Sequence, residues 1–235
     1  MARKIFKSAV VAAVFAAASA AEASTVFYSD RASFLSAVAP ATNIDFEGIA
    51  PAGSYASIFG STISGVTFTT DSGVLAAIDP AYAPSYYDWG SGATAIGYYY
   101  ADPIRGTLSA GKNAVGADVM IVDYANGGVA EEMFAVITLL DTSTVTQSIS
   151  TLAIPGRAFM GFTADQEIVS IAFYTPDIRA GSGPNFYPFS AIDNFVFSTV
   201  APTSTVPEPS SLLLVASMGA ILLRRQIKKD SRARL

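Results

Sequence analysis

Between Asp79 and Asp102 the chain reads DPAYAPSYYDWGSGATAIGYYYAD, which holds six of its eleven tyrosines and its sole tryptophan, Trp89. Pro80, Pro84, Gly90 and Gly92 mark the first half of this stretch as loop, where aromatic rings do not all find a core. An exposed ring stacks on the apolar face of a pyranose, and Asp79, Asp88 and Asp102 can accept hydrogen bonds from sugar hydroxyls. Tyr82, Tyr86, Tyr87 and Trp89 are therefore the candidate carbohydrate-binding residues. The competing reading is a loop folded over its own domain, with the tyrosine hydroxyls in water and Tyr98 to Tyr100 forming an ordinary strand.

The chain has neither Cys nor His. No Ser-His-Asp triad, thiolate nucleophile, haem-binding His or Cys/His zinc site can be built from it. Carboxylates remain for catalysis. Glu131-Glu132 is the obvious pair, but neighbours on a strand face opposite ways and serve as a dyad only across a loop. Gly127-Gly128 predicts a turn close by, which favours solvated acids. It lacks the Lys-Ser/Thr of a P-loop, and no dinucleotide-binding fingerprint is present.

The elements that would position these residues are short strands. Val66–Thr69, Ala117–Val122, Phe134–Leu140, Val169–Tyr174 and Ile192–Phe197 are rich in β-branched and aromatic residues, and several alternate inward and outward. One helix is expected early, capped by Ser29 or Asp30, with Ala32, Phe34, Leu35 and Val38 as its apolar stripe and Pro40 ending it. No repeat of solenoid or propeller length is present. About ten strands after one helix predict an all-β fold, a jelly-roll-like antiparallel β-sandwich over residues 24–200.

Asp45 and Glu47 alternate in sequence, so on one strand they would share a face, and Asp193 lies on the closing strand. The body resembles carbohydrate-binding jelly rolls, in which acids of the first and last strands share a structural calcium ion. That resemblance implies a Ca²⁺ site at Asp45, Glu47 and Asp193, completed by backbone carbonyls. The other reading makes these acids turn caps or local hydrogen-bond acceptors.

Both ends of the chain read as targeting segments. Arg3, Lys4 and Lys7 precede an Ala/Val/Phe run, and Ala21-Glu22-Ala23 supplies small residues at −3 and −1, the order of a secretory signal peptide over residues 1–23. Residues 24–204 then hold 16 acids against 5 bases, a net of −11. Such a surface repels phosphate backbones and is compatible with sugars or divalent cations, so no nucleic-acid partner is expected. An exported chain of this length without Cys must be stabilised by its core.

Residues 201–211 are a Pro/Ser/Thr linker ending in Pro207-Glu208-Pro209 and two serines. Residues 212–235 follow with twelve uncharged positions, Leu212 to Leu223, then Arg224-Arg225 and further basic residues. Twelve residues are too few for a ~30 Å core, which needs about 20. This order of parts resembles the PEP-CTERM sorting signal of exported Gram-negative bacterial proteins. The resemblance implies an exosortase-type processing enzyme as partner, transient insertion in the inner membrane, and delivery to the cell envelope or extracellular space. Pro207, Glu208, Pro209, Arg224 and Arg225 are its motif residues. An ordinary tail anchor is the alternative. The basic tail runs ten residues past Arg225, longer than in many such signals. Asp30–Leu35 with Ile44–Gly48, and Ala191–Phe197, are similar to segments recurrent in ectodomains of this family. The expected function is structural or adhesive, with polysaccharide binding, and the alternative is a secreted, carboxylate-dependent, glycan-active enzyme.

Overall fold

The computed structural model describes residues 24–82, 92–97, 102–123, 131–152, 156–175 and 188–199. Asp30 starts the helix where the sequence places it. Its carboxylate accepts a hydrogen bond from the Ser33 amide at 2.8 Å, so α1 (Arg31–Val38) begins with one of its orphan donors satisfied. Phe34 and Val38, one turn apart, form its buried face and pack with Ala114, Phe159 and Val196.

The strands, in chain order, are β1 (Thr25–Tyr28), β2 (Thr42–Ile44), β3 (Tyr55–Ser57), β4 (Thr62–Ile63), β5 (Val66–Thr69), β6 (Leu75–Ile78) and β7 (Thr94–Gly97). Then come β8 (Ile104–Leu108), β9 (Ala114–Asp123), β10 (Glu131–Leu139), β11 (Thr144–Leu152), β12 (Gly156–Ala164), β13 (Ile168–Tyr174) and β14 (Pro188–Ser198). Every ladder between them is antiparallel. The eight-stranded sheet runs β1-β12-β9-β14-β7-β6-β3, with β2 also on β14, and the six-stranded sheet runs β11-β10-β13-β8-β5-β4. The two form the expected jelly-roll-like β-sandwich with one short N-terminal helix.

Alternation builds the core. Val66 and Phe68 of β5, Met133, Ala135 and Ile137 of β10, and Ile168, Ile171 and Phe173 of β13 turn inward from the six-stranded sheet. They meet Val115, Ala117 and Val119 of β9, Phe162 of β12 and Phe195 of β14 from the other. Phe195 stands edge-on to Phe68 with centroids 5.2 Å apart, and a Cβ on Gly106 would come within 2.9 Å of the Phe195 ring. Glycine at 106 lets the two sheets close over that ring.

The solvent face of the six-stranded sheet is hydroxylated. Thr62, Thr67, Thr107, Ser170, Thr138 and Thr144 stand directly opposite one another from β4 to β11, one on every strand. At about 4.8 Å per strand the row is about 24 Å long. Phe134 and Tyr174 stack four register positions away, with centroids 5.4 Å apart.

Candidate functional site

Ile78 lies opposite Thr94, so residues 79–93 connect neighbouring strands β6 and β7 at one end of the eight-stranded sheet. The edge strand β3 lies on the other side of β6, with Tyr55 opposite Ile78. Tyr82 meets Tyr55 there. Their rings are 5.3 Å apart at 64°, an edge-to-face pair. Tyr82 is half-buried, whereas Tyr55 remains 51% exposed. Tyr86, Tyr87 and Trp89 lie in this connection but outside the described residues, as do Tyr98 to Tyr100.

Both ends of the connection are fastened by carboxylates. Asp79 Oδ1 accepts from the Gly53 amide at 2.8 Å and the Ala81 amide at 2.9 Å, which ties the start of the connection to the turn before β3. Glu47 Oε1 accepts from the Ala93 amide at 2.9 Å and fixes the other end. Gly92 makes room for it. That residue has φ +88°, and a Cβ there would lie 2.0 Å from Glu47 Oε1.

Asp79 thus fastens the loop through Oδ1, which takes both backbone amides. Asp102 also fastens backbone. It is buried, accepts from the amides of Asp71 at 2.8 Å and Ser72 at 3.3 Å, and is also hydrogen-bonded to the Ser72 hydroxyl. Asp88 lies outside the described residues.

The expected strand carrying Asp45 and Glu47 ends at Ile44. Phe46 takes φ 60°, a left-handed conformation that costs a non-glycine residue roughly 1 kcal/mol, and its side chain is buried edge-on against Phe68 at 5.4 Å. The turn gives Asp45 and Glu47 different tasks. Asp45 Oδ1 accepts from the Glu47 amide at 3.2 Å, while Glu47 reaches Ala93.

Asp193, 1% exposed, pairs with Arg157 at 3.3 Å and accepts from the Asn194 amide at 2.6 Å and from Asn194 Nδ2 at 3.1 Å. The three acids of the expected calcium site each have other partners, and among the described residues no three Asp, Glu, His or Cys side chains converge to hold a metal ion. Of the carboxylate pair, Glu131 and Glu132 open β10, and Glu132 is half-buried.

A second polar cluster, not foreseen as one site, lies on the outer face of the eight-stranded sheet beside α1. Arg31 donates to the Asn194 carbonyl at 2.9 Å and to Asn43 Oδ1 at 2.8 Å. Its guanidinium also lies 3.5 Å from Asp118 and over the Phe159 ring at 5.5 Å. Asn194 Nδ2 in turn reaches Asp118 at 3.0 Å. The sequence signal was present in the Asp30–Leu35 and Ala191–Phe197 segments, but nothing in it placed them side by side. Tyr55 was missed because a lone tyrosine on a three-residue strand has no pattern around it.

The sorting-motif residues Pro207, Glu208, Pro209, Arg224 and Arg225 and the leader 1–23 lie outside the described residues. Among the described residues no helix is long and apolar enough to cross a membrane.

No family model and no curated protein matches the chain. Among solved structures, it is similar to the CBM22-1–GH10 modules of Clostridium thermocellum endo-1,4-β-D-xylanase 10B in complex with xylohexaose, at 11% identity and TM-score 0.28. That match covers 66% of this chain, which spans about a quarter (26%) of the length of that one. A second, TmCBM61 in complex with β-1,4-galactotriose, is 12% identical with TM-score 0.24, covering 58% of this chain and 89% of that one. Likenesses of this size carry no argument about a ligand.

Proposed function

We propose that this chain is an exported, non-enzymatic β-sandwich protein, sorted through its PEP-CTERM-like tail to the cell envelope or extracellular matrix, where it serves a structural or adhesive role by binding polysaccharide. The observation that carries the binding reading is the Tyr55–Tyr82 pair. An exposed tyrosine braced by a second stands at the root of a connection that bears Tyr86, Tyr87 and Trp89, with both ends of that connection tied down. Fixing ring positions before the ligand arrives reduces the ordering cost of binding, and stacking needs no group that the chain lacks. The tail supports the sorting reading by its order of parts alone: Pro207-Glu208-Pro209, a short apolar run, then Arg224-Arg225. Insertion in the inner membrane is transient on this reading, and an exosortase-type enzyme is the processing partner.

A glycan array probed with the wild-type chain and with Tyr55→Ala, Tyr82→Ala and Trp89→Ala tests the binding. Loss of one stacking ring is expected to weaken binding by about tenfold or more, with the melting temperature of Tyr55→Ala and Trp89→Ala nearly unchanged. Binding that survives all three substitutions overturns the aromatic site. Turnover of a bound glycan would overturn the non-enzymatic reading.

A further inference from the structure

β11 is the outer strand of the six-stranded sheet, and among the described residues it pairs with β10 alone. From Thr144 to Leu152 it reads TVTQSISTL, with no charge, proline or glycine. Charge and proline are devices by which natural edges avoid pairing with another chain, and Thr144 to Ser148 carry neither. The other sheet edges are short by comparison: four residues in β1, three in β3 and two in β4.

The register says which atoms face outward. The Leu139 amide donates to the Ser143 carbonyl at 2.9 Å, so that pair is hydrogen-bonded. Bonded pairs alternate along an antiparallel ladder, which makes Ile137–Val145, Ala135–Gln147 and Met133–Ile149 the next bonded pairs. The amides and carbonyls of Thr144, Thr146 and Ser148 therefore point away from β10. Their side chains are exposed, while Val145 and Ile149 pack toward the core.

We propose that this edge pairs with the same edge of a second copy of the chain, antiparallel, about a two-fold axis through Thr146. The pairing joins two six-stranded sheets into one continuous sheet. Only the antiparallel two-fold makes one edge complementary to itself, with Thr146 opposite Thr146 and Thr144 opposite Ser148. Charge selects the place. The body carries a net −11 over residues 24–204, so two copies repel over most of their surfaces, but no like charges meet along Thr144–Leu152. Asp141, the nearest acid on this hairpin, falls opposite Thr151 in the paired register. β11 carries an extra residue between Ile149 and Leu152, where the ladder with β10 slips, and this ends the pairing zone beyond Ser148. About six backbone hydrogen bonds form within it.

The chain has no cysteine, which supplies a position-specific test in the full-length protein. Across a hydrogen-bonded antiparallel pair the Cα atoms lie about 5.5 Å apart, within disulfide reach. Under oxidising conditions Thr146→Cys is expected to give a covalent dimer on a non-reducing gel, while Val26→Cys on the β1 edge remains a monomer. Adding Ser148→Pro removes one outward amide, a change tolerated on an edge strand, and is expected to abolish the cross-link while circular dichroism shows the fold retained. Sedimentation of the wild-type chain is expected to give twice the monomer mass, and of Ser148→Pro the monomer mass.

Association driven by the apolar tail would produce neither the cross-link at 146 nor its loss with proline. A monomeric wild type, a Val26→Cys dimer without one at Thr146→Cys, or a Ser148→Pro chain that still dimerises each overturns the proposal. So does capture of an unrelated extended peptide by β11 in a monomeric chain.

Discussion

Arg31 donates a hydrogen bond of 2.9 Å to the backbone carbonyl of Asn194, across 163 residues of sequence. Asn194 sits at φ 48° where β14 slips its register against β9, so its carbonyl leaves the ladder and is open to a side-chain donor. The first turn of α1 is thereby fastened to an irregularity in the last strand.

Arg31→Ala should cost about 2 to 3 kcal/mol, the size expected for losing charge-assisted hydrogen bonds from a partly buried guanidinium. For a body of this size that is a fall of roughly 4–12 °C in melting temperature. Arg31→Lys should not restore it, because a point ammonium cannot serve Asn194, Asn43 and Asp118 in one plane while lying on Phe159. Full stability in the lysine variant would show that packing of the stem, not the fork, matters.

Glu47→Ala should weaken polysaccharide binding without touching a ring, since it frees Ala93 at the end of the aromatic connection. Gly92→Ala should do the same, because its Cβ displaces the Glu47 carboxylate. Glu47→Gln keeps an acceptor oxygen and is expected to bind like the wild type. Equal affinity in all three on a titrated glycan would separate the loop fastening from the binding.

The Asp30 carboxyl is held below its ordinary value by its hydrogen bonds to the Ser33 side chain and amide, and that of Asp141 by its bonds to the Ser143 side chain and amide and to Gln166. Depressed folded values mean that the unfolded chain binds protons first as the pH falls. The stabilisation from these groups is complete above about pH 4 and is lost as the pH drops through their folded values below 3.8. Asp30→Asn keeps the helix cap but cannot titrate, so its melting temperature should fall less steeply than the wild type between about pH 4 and pH 2. Parallel curves would contradict the assignment.

Melting in calcium and in chelator should coincide, because Glu47 Oε1 already accepts from Ala93 and both oxygens of Asp193 are engaged by Arg157 and Asn194. A calcium-dependent rise that Asp193→Ala abolishes would establish the metal reading instead.

Protein recovered from its native host should begin near Ser24 and lack residues 212–235, by intact mass. A mature surface form that keeps Arg224-Arg225 would sink the sorting proposal.

Much of the sandwich was legible because burial on one face writes itself as alternation. Phe134 to Leu140 and Val169 to Tyr174 could be read directly as strands, and Asp30 with Phe34 and Val38 announced the helix. Which strand neighbours which was not legible, since a period of two is the same in either sheet and at any register. The partners of the acids were not legible. In sequence a carboxylate that caps backbone amides is indistinguishable from one open to a ligand, and Asp79, Asp102 and Glu47 each accept from a backbone amide. The left-handed Phe46 hid the end of β2, because nothing in an aromatic residue signals positive φ.

The order of strands also sets an order in time. β1 finds its partner β12 more than a hundred residues downstream, and β2 closes on β14, the last strand described. A chain that leaves a ribosome or a translocation channel N-terminus first presents these two strands at once and must hold them unpaired until the far end has emerged. Pairings of such separation carry a large loop-closure entropy and form slowly. The sandwich is therefore sealed late, by residues 188–198, which immediately precede the linker. A chain cut short anywhere before β14 leaves β2, β7 and β9 without their β14 partner.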